Sequence, residues 1–145
     1  MDHAIAQART APEHGDVPVG AVVARIDDGS ILAARHNERE ATGDPTAHAE
    51  ILALRDAAKT LGTWRLERCA LVATLEPCPM CAGAALAARL DLVAFGAPDP
   101  KAGALGSLYN LGADPRLNHE LAVVAGVRAD ECGALLVEFF TSKRH

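Results

Sequence analysis

The stretch TAHAEILALRDAAKTLG, Thr46–Gly62, decides how the rest of the chain is read. Apolar residues recur in it at the helical period, with Ile51, Leu54, Ala58 and Leu61 on one stripe and Gly62 placed to close it. A helix is therefore predicted over about residues 47–61. Its opening carries His48 and Glu50, two positions apart. Inside a helix such neighbours point about 200° apart around the axis and serve different surfaces. In a first turn the restriction weakens, because side chains there reach forward past the helix end. Asp44-Pro45-Thr46 reads as the helix entry, with Thr46 the cap candidate.

A second helix start lies in LEPCPMC, Leu75–Cys81. Proline favours the first helical position, so Pro79 is placed there and Cys78 becomes the cap. Cys78 and Cys81 then share one face of the opening turn and can hold a zinc ion between two thiolates. His48 can supply a third ligand while Glu50 reaches the same space without binding metal. Three protein ligands leave a fourth position for water, which separates catalytic zinc from structural zinc. Two helix N-termini aimed at the ion would favour hydroxide over water there. Each half alone says little, since a CxxC is also a redox pair or two buried thiols and an HxE is also a surface pair. Their joint occurrence at two helix starts, each following a strand, is far more specific. A closed four-thiolate site would add Cys69 and Cys132, which lie in apolar segments and read as core.

Outward from these starts, a helix is expected from Asp2 to about Ala11. Strands follow at Val17–Ile26 and Ile31–Asn37, joined by an Asp27-Asp28-Gly29-Ser30 turn. Further strands are expected at Cys69–Leu75, Leu92–Ala97 and Leu121–Ala125, with helices from Pro79 to about Leu90 and from about Asp130 to Lys143. A loop of unusual length, 98–118, separates the last two strands, and long ordered loops in small domains are often functional. This order implies an α/β fold, a mixed five-stranded sheet with helices on both faces, in one domain over 1–145.

The chain has 145 residues, is 50% hydrophobic and carries a formal charge of −5. No apolar run approaches a membrane span and the N-terminus MDHAIAQART lacks the apolar block of a secretory signal, so a cytoplasmic protein without a membrane partner is expected. There, four cysteines read as thiols or metal ligands. The acidic balance argues against broad nucleic-acid binding, and a DNA partner is not expected. A local basic patch can still draw on Arg65, Arg68, Lys101 and Lys143-Arg144.

The joint pattern His-Ala-Glu followed by Pro-Cys-x-x-Cys resembles the zinc-dependent nucleobase deaminases. GDVPVGAVV, HNERE, DPTAHAEILALR, TLEPCPMCAGA, VAFGAPDPKAGALGSL and LNH, in that order, resemble their bacterial tRNA-specific adenosine deaminase branch from about residue 15 onward. The resemblance implies a three-layer α/β/α sandwich of the cytidine deaminase type. It also implies one zinc ion per subunit on His48, Cys78 and Cys81, with Glu50 as proton shuttle. Asn37 matches the asparagine that hydrogen-bonds the purine, and Val17, Pro18 and Val19 match an apolar wall against the base. Asp99, Lys101, Asn118 and His119 match loop residues near the RNA backbone, and Phe139, Phe140 and Arg144 lie in the terminal helix placed close to RNA.

The implied reaction is hydrolytic deamination of adenosine to inosine at the wobble position of a tRNA anticodon loop, by a homodimer acting on the anticodon stem-loop. The chain departs from the family pattern in Pro98 and Pro100, which stiffen the loop around Asp99, and in ending without a long basic tail. Three rivals predict different behaviour. A deaminase of free guanine, cytosine or a nucleotide needs no RNA. A structural zinc module binds RNA without using Glu50. A thiol oxidoreductase cycles Cys78 and Cys81 without zinc.

Overall fold

In a computed structural model of the chain, which describes residues 1–143, the hairpin β1 (Gly20–Arg25) and β2 (Ile31–His36) is built first. Gly29, at a left-handed φ of 70°, turns the chain between them. Strand β3 (Cys69–Leu75) lies antiparallel to β1, and β4 (Leu92–Ala97) and β5 (Ala122–Val124) continue parallel to β3. The sheet order is β2-β1-β3-β4-β5.

Helices cover both faces. On one, α3 (Ala49–Leu61) and α4 (Pro79–Ala87) bury Ala49, Ala53, Ala57, Ala82 and Ala85 against Ala21, Val23, Leu71, Ala73 and Val93 of the sheet. On the other, α1 (Asp2–Ala8) and α5 (Ala129–Lys143) close over a smaller cluster of Ile5, Cys132 and Ala97. The small residues permit close layers. Gly20 is the tightest point, because a Cβ there would run into the Ala4 carbonyl and the Ala8 amide of α1. The expected α/β/α sandwich with a mixed five-stranded sheet is the architecture found. Among the described residues, no helix is long and apolar enough to cross a membrane.

Several boundaries differ from the sequence reading. Strand β1 begins at Gly20 rather than Val17, since Pro18 has no N–H and Val19 folds its amide back onto the Val17 carbonyl at 2.8 Å. Helix α1 stops at Ala8, and a 3-10 turn over Ala11–His14 takes its place. Helix α4 ends at Ala87, and Arg89 turns the chain away with a φ of 62°. A short helix α2 (Arg39–Thr42) went unforeseen. The buried face of α3 centres on Ala49, Ala53 and Ala57, and of the Ile51/Leu54/Ala58/Leu61 stripe Leu54 is in the core while Ala58 and Leu61 are half-buried against it. The outer side of the stripe, with Ile51 and Ala58, borders an apolar groove with Trp64, Leu66 and Ala84. Cys69 and Cys132 are core residues, as expected.

Candidate active site and metal centre

The topology gathers the site at one edge of the sheet. Because β1 runs antiparallel to both neighbours, its entrance (Val17–Val19) lies beside the exits of β2 (Asn37) and β3 (Glu76). The parallel strand β4 exits on the same side towards Asp99. Ligand sites of parallel α/β sheets form at such carboxyl ends, where the following helices present their N-termini.

His48 and Cys78 are the N-cap residues of α3 and α4, both in extended backbone conformation with ψ of 147° and 175°. An N-cap lies outside the helical spiral, which is how His48 and Glu50 come to face one space. The expected Thr46 cap is not used. Its amide and hydroxyl are both taken by Asp44 Oδ1 at 2.8 Å, so the helix starts later. The Ala49 amide is capped instead by Asn37 Oδ1 at 2.9 Å, across from β2.

His48 Nδ1 lies 3.6 Å from Cys78 Sγ and 3.5 Å from Cys81 Sγ, and the three donor atoms all lie within 4.8 Å of one another. Ligands at ordinary Zn–N and Zn–S lengths on a tetrahedral ion sit ~3.6 Å apart. The donor set therefore has the size and chemistry of a three-ligand zinc site. The bond from Cys81, with His48, draws the Cys78 thiol down to about 4, and the same bond and burial push Cys81 up. Cys78 in turn raises His48.

Glu50 is 4% exposed and its Oε1 is buried without a hydrogen-bond partner. Burial pushes its carboxyl above the ordinary carboxylate range. A buried polar atom left unpaired costs about 1–3 kcal/mol, so such a group is expected to have a partner that arrives with metal, water or substrate.

A cleft of about 540 Å³ opens over these groups. Its lining includes Val17, Val19, Asn37, His48, Glu50, Cys78, Asp99, Phe139, Phe140 and Lys143. Other residues singled out in the sequence lie off it. Pro18 borders a separate depression with Arg9 and Leu135. Lys101 is exposed beside the loop, its amide on Asp99 Oδ1 at 3.0 Å. Asn118 lies near the far end of α4 with Leu86 and Arg89, and His119 Nε2 is tied to the Leu90 carbonyl at 2.6 Å. Arg144 lies outside the described residues.

Two acids that shape the cleft escaped the sequence reading. Glu76, 2% exposed, accepts the Asp99 amide on Oε1 and the Leu105 and Ser107 amides on Oε2, each at 3.0 Å, and also takes the Ser107 hydroxyl. Burial alone would raise its carboxyl; Ser107, Asp99 and Leu105 outweigh this and hold it low. Asp16, also 2% exposed, caps α2 through the Glu40 and Ala41 amides at 2.8 and 3.1 Å. An acid closing the apolar strand before Pro77-Cys78, and one between Gly15 and Val17, were the available signals.

The model of the cytidine and deoxycytidylate deaminase zinc-binding region matches residues 1–97. A tRNA-specific adenosine deaminase of Bacillus subtilis is 50% identical over 144 residues, spanning 99% of this chain and 88% of that one. A tRNA(Ile)-lysidine synthase of Deinococcus radiodurans is also 50% identical, although the chain spans only 24% of it. A solved structure from studies of A-to-I editing by tRNA:A34 deaminases at the wobble position of transfer RNA is 40% identical. It superposes with a TM-score of 0.89, covering 94% of this chain and 97% of that one. With its paired helix starts, its two thiols and its unpaired acid, this chain belongs to the cytidine and deoxycytidylate deaminase family, alongside relatives that carry the name tRNA-specific adenosine deaminase.

Proposed function

We propose that the chain, as one deaminase domain over 1–145, hydrolyses the wobble adenosine of a tRNA anticodon loop to inosine and ammonia. The observation that carries this is the buried, unpartnered Glu50 Oε1 on the wall shared by the zinc donors and an open cleft. His48, Cys78 and Cys81 would hold one zinc ion per subunit. Bound there, zinc supplies a Lewis acid that lowers the pKa of coordinated water towards about 7.

Glu50 would take a proton from the attacking water and deliver it to N1 of adenine, making C6 electrophilic. The remaining hydroxyl adds to C6, and Glu50 then takes the hydroxyl proton and passes it to the amine nitrogen as the C6–N bond breaks, leaving a C6 carbonyl and ammonia. Glu50 acts first as base and then as acid, and its displacement from the ordinary carboxylate range by burial suits both roles. Asn37 holds the purine edge, and Val17 and Val19 flank the ring. Phe139, Phe140 and Asp99 line the mouth where the anticodon strand enters. A single-stranded loop lowers the cost of taking the base out of its stack. Pro18, Lys101, Asn118 and His119 would serve only RNA that extends beyond the cleft.

We further read the protein as a cytoplasmic homodimer. The apolar groove between α3 and α4, about 390 Å³ with Trp64 56% exposed at its edge, supports self-association. The decisive experiment is inosine formation in an adenosine-bearing anticodon stem-loop, run beside free adenine, guanine and cytosine, with zinc measured on the same sample. Inosine in the stem-loop with zinc bound is expected. Deamination of free bases alone would overturn the RNA substrate, and Cys78→Ala should lose zinc and turnover together.

A further inference from the structure

Outside the cleft, His14 at the end of the 3-10 turn and His36 at the end of β2 bring their Nε2 atoms to 3.2 Å. The ring centroids are 5.2 Å apart and the planes tilt by 33°. The far side of each ring fixes its proton. His14 Nδ1 lies 2.6 Å from Asp16 Oδ2, a carboxylate that only accepts, so His14 carries its proton on Nδ1. His36 Nδ1 lies 2.8 Å from Gln7 Oε1 and 3.0 Å from Thr10 Oγ1. The Thr10 proton goes to the Gln7 carbonyl at 2.7 Å, so His36 also donates from Nδ1. The two Nε2 atoms therefore face each other at 3.2 Å, a gap that one shared proton or one metal ion can bridge.

We propose that His14 and His36 form a second, thiol-free site for a divalent transition-metal ion, with Glu38 completing it. Two imidazole nitrogens at ordinary Zn–N lengths on a tetrahedral ion lie ~3.3 Å apart, close to the observed separation. Ligating histidines usually donate their other N–H to a carboxylate or carbonyl oxygen, which is the role Asp16 and Gln7 play. Glu38 Oε1 lies 3.9 Å from His36 Nε2, and would have to close on both imidazoles to serve as a third donor. The neighbouring guanidinium of Arg35 is already paired with Asp56 at 2.8 Å and Glu38 at 2.9 Å. Imidazole and carboxylate donors suit zinc, cobalt, nickel or copper rather than magnesium or calcium. The His14 and His36 side chains are 30% and 21% exposed, so an ion can enter and exchange from solvent. Through Asp16 the site adjoins the wall of the cleft.

The test uses the full chain loaded with one zinc equivalent and titrated with cobalt(II). One further equivalent per chain is expected, with visible d–d bands and no sulfur-to-metal charge transfer. The His14→Gln/His36→Gln double variant should keep the first zinc and lose the second equivalent. Histidine ¹⁵N spectra of the unmodified chain give a readout independent of that variant's folding, with two Nε2 signals shifting together on metal addition. No second equivalent, an equivalent that survives in the double variant, or Nε2 signals that respond to pH and not to metal would each overturn the proposal.

Discussion

Asn37 Oδ1 accepts the Ala49 amide at 2.9 Å, so the helix that carries Glu50 is capped from a strand and not by its own N-cap residue. The same side chain donates from Nδ2 to the Val17 carbonyl at 3.1 Å. His48 is thereby released from capping and free to face the two thiols. Asn37→Ala leaves a buried amide and a carbonyl unpaired, at about 1–3 kcal/mol each. Denaturation midpoints should fall accordingly, and zinc should bind more weakly than in the parent chain. An unchanged midpoint with lost turnover would mean that Asn37 serves the substrate alone.

Glu50→Gln separates metal binding from proton transfer. The amide keeps the shape of the side chain and no zinc ligand is touched, so zinc content should stay at the parent level. Turnover should fall by about 10²–10⁴-fold, the usual contribution of a positioned acid–base group. Because the substitution removes an ionisable group buried without a partner, the variant should melt no lower than the parent chain. A variant with near-parental kcat would remove Glu50 from the mechanism.

Glu76 organises the segment from Asp99 to Ser107, and Gly103 lies against its carboxylate so closely that a Cβ would collide with it. Glu76→Gln turns an NH₂ group towards backbone amides that need an acceptor, costing about 1–3 kcal/mol. Since the segment borders the cleft and supplies no zinc donor, the effect should appear chiefly as KM for the stem-loop, raised by about tenfold. Gly103→Ala should reproduce it. A loss confined to kcat would contradict this division of labour.

Two glycines of opposite environment test the layer packing. Gly20→Ala drives a methyl group into the backbone of α1 and should destabilise the chain by about 1–3 kcal/mol or more. Gly133, inside α5, has open space where a Cβ would go. Gly133→Ala should stabilise by about 0.5–1 kcal/mol through the restricted unfolded chain. Paired urea titrations give both values.

The amino-acid sequence by itself determined the order of strands and helices, the hairpin at Gly29, and the positions of two helix starts bearing His48, Glu50, Cys78 and Cys81. These are local matters: a proline at a first turn, a glycine with positive φ and the period of apolar residues act over a few positions. Only the tertiary structure decided that Asn37 would cap α3, that Ile51 and Ala58 would line a groove while Ala53 faced the core, and that Glu76 would anchor the long loop. It also set Asn118 and His119 apart from the cleft that holds Val17 and Phe140. The reason is that a hydrogen bond between distant segments, or the choice of which helix face is buried, depends on the sheet order that brings those segments together. No short-range pattern encodes that order.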